Sequence, residues 1–148
     1  MTAEIIVKYI HFIAIFVIIA TVSIEFVLLR GKIDHERIKL LSKVDMIYGM
    51  SAVVLLIAGL TLWFFIGKPA ATYSKNYIFM IKITLFIIVG LLSIRPTIWI
   101  GRNKRKIMPG GKIDVPNSIQ SFILVELIIL ALIPLTAVIM AKGIGIMI

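Results

Sequence analysis

Residues 5–29, 45–66, 77–100 and 119–141 form four stretches dominated by apolar side chains, each longer than the roughly 20 residues an α-helix needs to cross a hydrocarbon core. Over the whole chain 61% of residues are hydrophobic and the mean hydropathy is +1.11. No water-soluble domain of 148 residues can bury that much apolar surface. The pattern predicts an all-α, integral membrane four-helix bundle, a single four-span domain over residues 1–148. The loops are about 15, 10 and 18 residues long, too short to form a further domain. The first stretch is too long for a secretory h-region and has no small-residue cleavage site after it, so it is expected to remain as a transmembrane helix.

Charge predicts the orientation. Arg30, Lys32, Arg37, Lys39 and Lys43 lie between the first two stretches, and Arg102, Lys104, Arg105, Lys106 and Lys112 between the last two. The middle loop carries only Lys68 and Lys75. Under the positive-inside rule the two basic loops are cytoplasmic and both termini face outward, which in a bacterium places the protein in the inner membrane. The net charge of +9 is thereby explained as topology and contact with anionic lipid, and no nucleic-acid partner is expected. With no cysteine there is no disulfide, thiolate metal site or cysteine nucleophile. Asp34 is a predicted cap for a helix leading into the second span, and Asn117 or Ser118 for the fourth. The two basic loops recur after spans one and three, but the hairpins around them do not align as a convincing repeat.

Charged side chains inside spans are costly and mark functional sites by default. Glu25, Asp45, Arg95 and Glu126 fall near the cytoplasmic boundary under this topology, with Tyr48 beside them. Arg95 can bond two carboxylates through its planar fork, making either an ion-pair latch between helices or a proton-handling site. His11 and Lys82 form a second layer toward the outer side. His11 and Glu25 are two heptads apart and share a face with Ile15, Ile18 and Val22. Asp45, Tyr48, Gly49, Ala52, Gly59 and Trp63 make a second stripe, whose small residues permit close helix approach. Pro96 frees the carbonyl of Leu92 and bends the third helix so that Arg95 can turn inward. Trp63, Tyr73 and Tyr77 read as an aromatic belt. His11 with Met80, Met140 and Met147 makes a candidate soft Cu(I) site.

Tyr9-Ile10-His11-Phe12, Glu25, Asp45-Met46-Ile47-Tyr48-Gly49, Asn76-Tyr77-Ile78-Phe79-Met80-Ile81-Lys82, Ser93-Ile94-Arg95-Pro96-Thr97 and Glu126 together resemble an uncharacterised bacterial family of four-helix membrane proteins, over nearly the whole chain. More remotely, a His early in the first helix and a Lys early in the third resemble the membrane-bound protoporphyrinogen oxidase family, associated with haem b. That resemblance implies that His11 and Lys82 form a cofactor-binding pair. Two features depart from that family's pattern: no Trp-Gly run follows His11, and Arg95-Pro96 stands where the family favours Tyr-His. The copper-resistance membrane family shares a similar early His.

Three functions follow as expectations. The first is a redox or cofactor-binding protein in which His11 ligates haem b or touches a porphyrin or quinone while Lys82 anchors a propionate or carbonyl. The second is a small proton-coupled transporter, favouring a homodimer because four spans make a narrow path. The third is a noncatalytic scaffold or accessory subunit. Phosphate loops, nucleophile elbows and dinucleotide fingerprints are absent from the sequence.

Overall fold

The computed structural model describes residues 1–145. Its long helices are α1 (Thr2–Leu28), α2 (His35–Phe64), α4 (Tyr77–Lys106) and α5 (Asn117–Ala141), each long and apolar enough to cross a membrane. Short elements complete the order: strands β1 (Lys32–Asp34) and β2 (Lys112–Asp114), and the one-turn helix α3 (Ala70–Ser74). α1 packs on α2 and α4 on α5, and the two hairpins close into a ring through α2 on α4 and α1 on α5. Ile18, Val22, Tyr48, Leu55, Val89, Ile123 and Leu130 meet in its core. Phe12, Phe16, Ile57, Leu91 and Leu132 point outward. Lipid tails are as apolar as these side chains, so shape-matched packing rather than exclusion from water holds the spans together.

Two helices outrun their predicted spans at the basic end. α2 begins at His35, not at residue 45, because the segment from Ile38 to Val44 continues an apolar stripe: Ile38, Leu41 and Val44 are buried at helical spacing. α4 continues to Lys106, where Lys104, Arg105 and Lys106 complement the carbonyl end of the helix dipole. Hydropathy ended the spans at these charges, but the helices themselves had no reason to stop. Asp34 caps α2 as expected, its Oδ1 accepting from the Arg37 N–H at 2.8 Å. The cap expected from Asn117 or Ser118 is absent. α5 starts after Pro116, whose carbonyl accepts from the Ile119 N–H at 3.0 Å and whose ring sets φ at −58°.

β1 and β2 pair antiparallel, Lys32 opposite Asp114, Ile33 opposite Ile113 and Asp34 opposite Lys112. Both strands are Lys-Ile-Asp preceded by glycine, Gly31 and Gly111. A repeat that was too short to stand out in the sequence therefore becomes a self-complementary ribbon, with each lysine facing an aspartate and Ile33 fully buried beneath. Two further contacts secure this end. His35 Nδ1 lies 2.9 Å from the Ile107 carbonyl, and Arg37 Nη1 donates to the carbonyls of Arg30 and Lys32 at 3.4 Å.

At the terminal end, the buried Asn76 caps α4, its Oδ1 accepting from the N–H groups of Ile78 and Phe79 at 2.9 and 3.3 Å. The turn after α5 docks on the same residues: the Tyr77 N–H donates to the Gly145 carbonyl at 3.0 Å, and Asn76 Nδ2 to the Ile144 carbonyl at 3.4 Å.

Candidate functional site

The helices carry the polar residues in two layers. In the layer toward the terminal end, His11 of α1 leans on Gly59 of α2. A Cβ added to that glycine would sit 3.5 Å from His11 Cε1 and 3.8 Å from Nδ1. Trp63 follows Gly59 by one turn on the same face. It stacks on Phe64 at 4.6 Å between ring centroids and meets Phe79 of α4 edge-on at 5.0 Å. Lys82 lies three residues after Phe79, again on one face. α1, α2 and α4 thus bring His11, Trp63 and Lys82 to one seam. Trp63 Nε1 is buried without a hydrogen-bond partner, and His11 Nδ1 makes no hydrogen bond of good geometry, the Leu55 carbonyl of α2 being the backbone oxygen beside the ring. Lys82 forms no hydrogen bond or ion pair among the described residues, where the ion pairs are Lys8–Glu4 and Lys39–Glu36. Trp63 belongs both to the expected aromatic belt and to the expected stripe with Gly59, and the structure places it on the stripe side, in the seam.

The second layer lies toward the basic end. Glu25 and Glu126 are almost wholly enclosed, at 2% and 1% exposure, and one oxygen of each has no partner. Asp45 lies ten residues into α2, about 15 Å from its start, and accepts from the Thr97 hydroxyl at 2.7 Å. Tyr48 is buried in α2.

The ion-pair latch expected of Arg95 is not formed. Its guanidinium sits over the Phe122 ring at 5.3 Å, and it bonds none of the three carboxylates. Pro96 is buried and takes the inward position, which leaves Arg95, one residue earlier, turned about 100° away on an exposed face. Thr97 occupies the partner role instead. Nothing in composition distinguishes that threonine; its depth, equal to that of Asp45 across the bundle, was the available signal. Gly49 also departs from the expected interface stripe, facing open space.

The methionines of the copper reading are dispersed in character. Met80 is 45% exposed, about 200° around α4 from Lys82. Met140 is half-buried on α5, and Met147 lies outside the described residues. No three His, Cys, Asp or Glu side chains among the described residues come together as a metal site. An apolar groove of about 350 Å³ runs between α1 and α2, lined by Ile13, Val17, Met50 and Val54 among others, but His11 and Lys82 do not line it.

A family model described as "Predicted membrane protein (DUF2214)" matches residues 3–145. The chain belongs to this family. That membership agrees with the four apolar helices and carries no activity with it. No curated protein and no solved structure gives a match. For this DUF2214 chain, any role of the two polar layers is therefore argued from their geometry.

Proposed function

We propose that this membrane protein binds a conjugated redox cofactor bearing oxygen acceptors, a quinone or the propionate edge of haem b or another porphyrin, at the seam of His11, Trp63 and Lys82. One observation carries the reading: the buried ring nitrogens of His11 and Trp63, neither in a well-formed hydrogen bond, share a seam with an ammonium that is unengaged among the described residues. Buried polar groups in folded proteins are satisfied in the great majority of cases, so such a concentration marks a place for a ligand. The Trp63 N–H and the Lys82 ammonium are donors, and His11 is a donor or acceptor according to its tautomer. They match a carbonyl or carboxylate oxygen, while Phe79 and Phe64 provide ring surface. When bound, such a group would supply electron-transfer chemistry. His11 and Lys82 would hold its oxygens, and Gly59 leaves the space in which the imidazole sits.

The ten cations of the two basic loops support a cytoplasmic placement of that end and of anionic lipid as its partner. The seam then lies in the outer half of a bacterial inner membrane. A dimer is not needed for this site, because a single chain supplies all three polar groups.

The test is an oxidised and reduced ultraviolet–visible spectrum of protein purified from membranes with haem precursor supplied, alongside quinone extraction. A Soret band or near-stoichiometric quinone is expected from the wild-type chain, reduced at least tenfold in His11→Ala and in Lys82→Met. A folded preparation carrying neither would overturn the proposal.

A further inference from the structure

Glu25 on α1 and Glu126 on α5 are the most deeply enclosed ionisable side chains among the described residues, and the two helices are neighbours in the ring. Glu25 Oε1 and Glu126 Oε1 have no hydrogen-bond partner. From α2, the polar groups at this depth are Asp45, which is engaged by the Thr97 hydroxyl at 2.7 Å, and the buried Tyr48. From α4, the cation at this depth is Arg95, which rests on Phe122. On the basic side the pair is roofed by Leu29, Ile33, Ile38, Leu41 and Ile119, all buried and apolar, with the β1–β2 ribbon above them.

Two bare carboxylates in such a space would repel each other, and each would lack compensation for its lost hydration. A basic side chain, a metal ion or a proton could restore the balance. Neither carboxylate has an ion-pair partner among the described residues. No third ligand joins the pair to hold a metal ion. A proton needs only the two carboxyl groups themselves, since a protonated carboxyl donates where a carboxylate accepts.

We propose that Glu25 and Glu126 form a proton-binding pair between α1 and α5, holding at least one exchangeable proton at neutral pH, with Asp45 and Tyr48 as the polar groups through which it exchanges. The proposal is independent of the cofactor seam. Its evidence lies at the other end of the bundle, and its test needs no cofactor.

The test is infrared spectroscopy of the full chain in lipid vesicles at neutral pH. The expected result is a protonated-carboxyl carbonyl band that shifts on exchange into D2O and shifts again when the chain is labelled with ¹³C-glutamate. That labelling needs no substitution and so does not depend on whether a variant folds. Glu4 and Glu36, the other glutamates, pair with Lys8 and Lys39 at the surface. Glu25→Gln combined with Glu126→Gln is expected to remove the band, and Asp45→Asn to leave it. Absence of any protonated glutamate band would overturn the proposal, as would a band that survives the double substitution or disappears when sodium is added.

Discussion

Asn76 and Glu126 are both buried polar residues of a membrane bundle, yet the structure treats them oppositely. Asn76 uses its oxygen to cap α4 and its amide nitrogen to hold the turn after α5, so its polar group is satisfied by the fold itself. Glu126, Glu25, His11 and Trp63 each leave an atom unanswered. The contrast separates polar residues satisfied by the fold from those it leaves with an unpaired atom. It also locates a weak point. A Cβ on Gly145 would lie 2.5 Å from Ile78 Cγ1 and 2.7 Å from Asn76 Oδ1, and its φ of +96° already disfavours any L side chain. Gly145→Ala is expected to cost about 1–3 kcal/mol, and Asn76→Ala about 1–2 kcal/mol through loss of the cap. Both should appear as lower midpoints in detergent unfolding, with faster amide exchange at Tyr77. Glu25, Glu126, His11 and Lys82 were legible because a titratable residue inside an apolar run is conspicuous. Trp63 was legible in part, through its stripe with Gly59, whereas Thr97 was not, because a threonine in a helix has an ordinary explanation.

Among the elements, the β1–β2 ribbon is the one that hydropathy could not reveal. Three residues per strand carry no usable alternation signal, and the paired segments are far apart in sequence. Its register has a simple consequence. The natural chain contains no cysteine, so introduced pairs can be read without background. Ile33→Cys with Ile113→Cys, directly opposite in the ribbon, is expected to form a disulfide under mild oxidation. Ile33→Cys with Val115→Cys, two residues out of register, should cross-link at least tenfold more slowly. Equal rates would show that the ribbon slips. The extension of α2 and α4 beyond their spans has a related cause. A span ends where charge meets the edge of the hydrocarbon, whereas a helix ends where backbone conformation or capping stops it, at Asp34 and Ile107 here.

The whole molecule is a ring of two hairpins whose polar layers lie at different depths, closed by the ribbon at one end and by the Asn76 turn at the other. The charge asymmetry predicts an orientation that can be measured with single cysteines. Lys68→Cys and Lys142→Cys are expected to react with a membrane-impermeant thiol reagent on intact cells, and Arg105→Cys only after permeabilisation. The reverse pattern would invert the topology. Span number, the two basic connections and the titratable residues inside spans could all be read from the sequence alone. Each depends on local composition against a fixed physical length, the thickness of the hydrocarbon core. Which of those residues meet was decided by tertiary structure. Helical phase around Pro96 turned Arg95 onto Phe122 and gave Asp45 to Thr97, and the approach of α2 to α1 at Gly59 joined Trp63 to His11. A rotation of about 100° per residue is invisible to hydropathy, yet it decides whether a charge faces its partner or the lipid.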